Sequence, residues 1–219
     1  MVEEHFEFKS SVKKKIYIVL GIGVIVLIAG ILFQVFGHHE GHEGGEGHGF
    51  HWMDRIFANL WLNNIYFLGI SLVGVLFVAL QYAAQAGWSA TIIRIPLAFG
   101  NWLPIAAILT LALFFIAGHH IFHWTHHDVY VQGGHHYDKL IDGKGQYFFW
   151  PLENGSAIPL FFLIRMIIYF VVWFMLFRYL KNYSLEEDKL GGYDHFYRMR
   201  KISVIFIVVF AVTSSNAAW

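Results

Sequence analysis

The stretch whose reading decides the fold is PIAAILTLALFFIAGHHIFHWTHH, residues 104–127. Its first part, through Gly118, carries no charged residue and has the composition of a helix embedded in hydrocarbon. Its last part holds His119, His120, His123, His126 and His127. If the helix continues at roughly 100° per residue, His126 falls at roughly −20° and His123 at roughly 40° from His119. His127 and His120 then follow at roughly 80° and 100°. The reading therefore predicts a one-sided imidazole stripe where a helix leaves a membrane. Ionisable groups at that depth are costly and face protein or water, so the stripe marks a candidate functional site.

Working outward, the whole chain is 57% hydrophobic and 14% charged, against about 25% charged in soluble domains. That balance indicates an integral membrane protein. The formal net charge of zero gives no electrostatic basis for nucleic acid as a partner. Cysteine is absent, which excludes disulfides, Cys-ligated iron–sulfur clusters and a thiol nucleophile within this chain.

The predicted fold class is an all-α polytopic membrane bundle with four complete transmembrane helices and a truncated fifth. Residues 1–15 form a polar segment ending in Lys13, Lys14 and Lys15. Residues 16–36 are long enough, at about 20, to span rather than serve as a signal-peptide core. Further spans are expected near 61–84, 102–124 and 158–180. A fifth begins near Ile202 and is still apolar at Trp219, which suggests the N-terminal half of a longer subunit.

Lys9, Lys13, Lys14, Lys15, Arg94, Arg178, Lys181, Lys189, Arg198, Arg200 and Lys201 gather on the side of the N-terminus. Only Arg55, Lys139 and Lys144 fall on the other, and Arg165 lies inside a span. Eleven against three predicts a cytoplasmic N-terminus.

Residues 37–60 supply an outer His/Gly/Glu loop and an interfacial segment; the loop, 37–51, reads as a flexible connector whose His and Glu could also chelate metal. The second outer loop, 128–157, is long and aromatic, as loops that cover a site or meet a partner are. Residues 184–188, SLEED, read as the capping stretch of a short surface helix.

Because neighbouring spans run in opposite directions, polar positions can be compared in depth. Asn63, Asn64, Arg165, Thr213, Ser214, Ser215 and Asn216 fall in the outer half with the histidines, and Gln85 lies toward the inner side. This predicts a polar pocket or proton path opening outward. Each feature has a plainer alternative: Arg165 as a brace between helices, and the Asn pair as interhelical hydrogen-bond donors. Gly69, Gly74, Ala79, Ala83 and Ala84 form a small-residue packing face.

The histidines admit three readings. They bond to loop carbonyls and water, they exchange protons near a redox site, or they ligate haem or metal, with His119 and His123 at i, i+4 suited to copper or zinc. A transmembrane bis-His haem would want axial ligands deep in two facing spans, which this distribution does not offer.

The stretches FANLWLNNIYFLGISL (57–72), ALQYAAQAGWS (79–89), GHHIFHW (118–124), FLIR (162–165), SLEED (184–188) and AVTSS (211–215) are, taken together, the basis of a resemblance. They resemble the second quinone-subunit-like membrane protein of bacterial Alternative Complex III, and more widely the NrfD/polysulfide-reductase-type membrane anchors. The resemblance implies about ten helices in two bundles, of which this chain supplies the first.

It also implies a multi-pass subunit of the bacterial cytoplasmic membrane, not catalytic alone, in a menaquinol-oxidising respiratory complex. Its partners would be the quinone-binding sister subunit, an iron–sulfur subunit, haem c subunits and a haem–copper terminal oxidase. No cofactor is expected on this chain beyond a possible contact with menaquinol; the haem c and iron–sulfur centres belong to the partners. Expected roles are proton transfer for His119, His120, His123 and Arg165, with Asn63, Asn64, Gln85 and Thr213–Asn216 lining the pocket. The rival expectations are a structural scaffold for the redox subunits, or a His-ligated haem or metal electron carrier.

Overall fold

A computed structural model describes residues 9–36, 52–190 and 193–217, and these are mostly helical with no strand among them. The chain divides into two compact units, residues 1–52 and 53–219. The first contains α1 (Ser10–Phe36). It is apolar along its length, as expected of a helix whose solvent is lipid.

The second unit begins with α2 (Trp52–Ala83) and continues through α3 (Arg94–Phe99) and α4 (Leu103–Ile121). Two short helices follow, α5 (Lys139–Gly143) and α6 (Gly145–Phe149), and then the long pair α7 (Leu160–Leu190) and α8 (Tyr193–Ala217). Four helical segments are long and apolar enough to cross a membrane: Ser10–Phe33, Met53–Ala83, Arg94–Ile121 and Leu160–Leu190. A multi-pass membrane protein follows from these.

The buried side of α2 is set by helical spacing: Asn64, Leu68, Ser71, Leu72, Val75, Val78, Ala79 and Tyr82 recur every three or four residues. Val75, Val78 and Ala79 pack with Phe177, Leu180, Met199 and Phe206 from α7 and α8. A second group joins Leu68, Leu72, Leu103 and Ala106 to Phe170 and Trp173. The opposite faces are equally apolar but open, with Ile108 67% and Phe115 68% exposed on α4. Faces of that kind are what a bilayer covers.

Close approach at the α3 segment depends on two glycines. A Cβ on Gly74 would lie 2.6 Å from the Pro96 carbonyl oxygen, and one on Gly100 would lie 2.3 Å from the Phe177 ring. Of the small-residue face expected on α2, Gly74 and the fully buried Ala79 do pack closely, whereas Gly69 faces open space. The Ser71 hydroxyl donates to Phe99 O at 2.9 Å and secures the same approach.

Several sequence expectations change. The imidazole stripe is not one helix: α4 stops at Ile121, where Phe122 turns to extended backbone (φ −109°, ψ 112°). Two 3-10 turns follow, His123–Thr125 and His127–Tyr130, separated by an extended His126. Beyond the stop, the Thr125 hydroxyl donates to Phe122 O at 2.7 Å.

Residues 184–188 are not a separate surface helix but the last turns of α7. They stay helical because each acidic group has a partner: Glu187 accepts from Tyr82 Oη at 2.9 Å, Glu186 lies 3.6 Å from His195, and Asp188 pairs with Arg94. Arg94 also donates to Ser184 O at 2.7 Å. α8 starts at Tyr193, well before Ile202, because Asp194, His195, Arg198 and Arg200 extend it as a polar first half. The His/Gly/Glu loop, 37–51, lies outside the described residues.

Candidate functional site

Beneath the 128–157 loop, α2, α4, α7 and α8 enclose a cavity of about 470 Å³. Three polar side chains, Thr110, Arg165 and Ser214, are set in it among aromatic and aliphatic ones. The expected polar pocket is therefore mostly apolar, with one cation.

Its roof comes from the turn that ends α4. Trp124 stacks on Phe148 with ring centroids 4.3 Å apart, and Phe114 lies 5.0 Å from Phe162 below. Phe122 meets Trp61 edge-on at 5.2 Å. The loop itself is held as a small aromatic core of Val129, Tyr130, Phe148 and Phe149. Asp138 caps α5 through the amides of Leu140 and Ile141, and Asn154 ties the loop's return to Asp142 at 2.9 Å. Tyr130 donates to Trp124 O at 2.8 Å, and burial pushes its phenol up to about 12. The long loop thus covers this cavity.

Arg165 is buried, and the Tyr147 ring lies 3.7 Å from its guanidinium carbon. Its Nε and Nη1 have no hydrogen-bond partner among the described residues. The neighbouring polar groups bond one another. Tyr147 and Tyr169 both donate to Asn216 Oδ1, at 2.8 and 2.6 Å, and Trp173 Nε1 donates to Thr213 Oγ1 at 2.8 Å.

The other candidate pocket residues divide. Asn64 Nδ2 bonds Thr110 Oγ1 at 2.7 Å and Ala106 O at 3.3 Å, so this Asn joins α2 to α4, its plainer role. Asn63 is exposed and donates to Asn59 O within its own helix. Ser214 lines the cavity, Thr213 and Asn216 do not, and Ser215 and Asn216 are exposed. Gln85 belongs to a separate recess with Gln81, Tyr82, Ser89 and Glu187, past the end of α2, where it adopts φ 56°.

On the far side of the Phe114 and Phe122 wall, the histidines gather by a chain reversal rather than by helical periodicity. The His126 ring lies 4.9 Å from His119 and 5.9 Å from His123. His119 Nδ1 is 3.1 Å from Thr125 Oγ1. Partial burial lowers the His126 pKa, with a further push from His119.

His120 points to α2 instead: its Nδ1 is 2.9 Å from Asp54 Oδ1, and its ring stands 5.6 Å from Phe57. His127 packs beside Gly155, where a Cβ would come within 3.3 Å of its ring. The i, i+4 geometry suggested for His119 and His123 does not form, because His123 lies beyond the helix end. Among the described residues no group of three or more His, Asp or Glu is placed to hold a metal ion.

Tyr147, Trp124 and Asp54 were not singled out from sequence. Tyr147 stood in a visible aromatic cluster, whereas nothing local connects Asp54 to a histidine so far along the chain. Comparison of the chain with models of known families and with curated proteins finds no match.

Proposed function

We propose that this chain is a membrane subunit of a quinol:electron-acceptor oxidoreductase of the Alternative Complex III type. In this reading it lies in a bacterial cytoplasmic membrane with its N-terminus inside, and α8 supplies part of a fifth span. It supports assembly of partner subunits that carry the iron–sulfur and haem c centres, and it exchanges protons at the outer face as menaquinol is oxidised nearby.

The observation that carries the proton role is the grouping of His119, His123 and His126 at the end of an apolar helix. Imidazoles titrate near neutral pH, and a cluster holding more than one of them can pass a proton without a full charge being stranded in lipid. Assignment to this type of complex rests on the stretches between 57 and 215 quoted above. A scaffold reading has its own support, since His120 and Asp54 link α2 to α4 and would be conserved in role without any proton moving.

The test is the intact complex carrying His119→Ala, His123→Ala and His126→Ala together, with His120 left in place to preserve that link. Quinol oxidation against pH and proton release in sealed vesicles are measured side by side. A displaced pH profile or reduced proton yield supports proton exchange. Unchanged rate and yield in an assembled complex leave the scaffold.

A further inference from the structure

The strongest unexplained feature is the unmatched cation in the cavity. Arg165 is 8% exposed, and among the described residues its Nε and Nη1 are without partners and no Asp or Glu lines the space. Tyr147 covers the guanidinium with its ring, and a cation–π contact offers no acceptor for the N–H groups. A buried charge left in that state is costly in an apolar surrounding.

The other polar groups of the lining do not call for a ligand. Thr110 donates to Ala106 O at 2.7 Å and accepts from Asn64, and Ser214 turns toward Ala211 O. The space therefore presents the N–H groups of one guanidinium at one point and apolar wall elsewhere.

We infer that the cavity binds an amphiphile with an oxyanion head, its carboxylate or phosphate on Arg165 and one hydrocarbon chain along the wall of Leu68, Leu111, Phe114 and Met166. A guanidinium offers such a head two parallel hydrogen bonds along either edge that contains Nη2, paired with Nε or with Nη1. The volume of about 470 Å³ lies within the roughly 300–1,000 Å³ of ligand pockets and suits one chain rather than two. A neutral carbonyl head would satisfy an N–H but leave the charge uncompensated. The head can come from a free fatty acid or from an anionic phospholipid that places one chain inside. This inference is independent of the proton-exchange reading, since it requires none of the histidines.

The test uses the protein purified with its natural partners, delipidated in nonionic detergent. Labelled palmitate is titrated against the unaltered protein, Arg165→Met, Arg165→Lys and Met166→Trp. One saturable site is expected, weakened by about ten- to a hundredfold in Arg165→Met, as loss of charge-assisted hydrogen bonds implies. Arg165→Lys keeps part of the affinity. Met166→Trp, which fills the space and keeps the cation, abolishes binding.

Methyl palmitate, with the same chain and a neutral head, fails to compete. Displacement by phosphatidylglycerol assigns the phospholipid as the source, and failure of that displacement assigns the free carboxylate. Absence of a saturable site, equal affinity in Arg165→Met, or equal competition by methyl palmitate overturns the inference. Should Arg165→Met not fold, unchanged affinity in Met166→Trp overturns it alone.

Discussion

The Arg165 guanidinium carbon lies 3.7 Å from the centroid of the Tyr147 ring, so the 128–157 loop is fixed to α7 by a cation against an aromatic face. The same tyrosine reaches α8, donating to Asn216 O at 2.9 Å and to Asn216 Oδ1 at 2.8 Å. One side chain thus joins α6, α7 and α8.

The two functions of Tyr147 can be separated by substitution. Tyr147→Phe keeps the ring over Arg165 and loses the bonds to Asn216, at a cost of about 1 kcal/mol. Tyr147→Leu loses both and costs about 1–2 kcal/mol more, since a desolvated cation–π contact is worth ~2 kcal/mol. Thermal unfolding of the purified protein in detergent reads the order; equal losses for the two variants would contradict a structural cation–π contact.

Asn64 and Thr110 form the polar link between α2 and α4. Asn64→Ala and Thr110→Val are each expected to destabilise by about 0.5–1.5 kcal/mol, the range for hydrogen bonds between membrane helices. A double-mutant cycle should give a coupling energy of similar size, with the double variant less damaged than the sum. Strict additivity would show that the 2.7 Å bond contributes nothing.

Gly100 is expected to tolerate no side chain. A Cβ there lies 2.3 Å from one Phe177 ring carbon and 2.8 Å from Val75 Cγ2, and both neighbours are buried. Gly100→Ala should therefore destabilise by about 1–3 kcal/mol through overpacking. Gly100→Ala combined with Phe177→Leu should recover part of the loss, as measured by the same unfolding midpoint.

His126 gives a pH dependence whose sign follows from its environment. Burial first, and then His119, hold its pKa below the ordinary 6.5, while Asp128 opposes them. The folded protein therefore binds this proton less readily than the unfolded chain. The stability associated with neutral His126 is complete above pH 6.5 and is lost as pH falls through the lower folded value. His126→Gln should flatten stability against pH in that window. An NMR titration of the His126 ring should place its midpoint below that of a free imidazole, and a midpoint at or above 6.5 refutes the assignment.

Sequence alone determined the membrane character and the approximate helices of this chain. Long apolar runs leave few alternatives, because backbone polar groups in lipid must be satisfied within a helix. Arg165 and the histidines stood out for the same reason, as ionisable groups where few are tolerated. It was the tertiary structure that decided how they are used. α4 ends at Ile121, so the histidines meet through a reversal that no helical wheel contains. Residues 184–188 became part of α7 through partners at Tyr82, Arg94 and His195, all distant along the chain. The surroundings of Arg165 came from four helices and a loop at once. Local pattern fixes which residues want burial or lipid, whereas the partner each polar atom finds depends on contacts that sequence separation conceals.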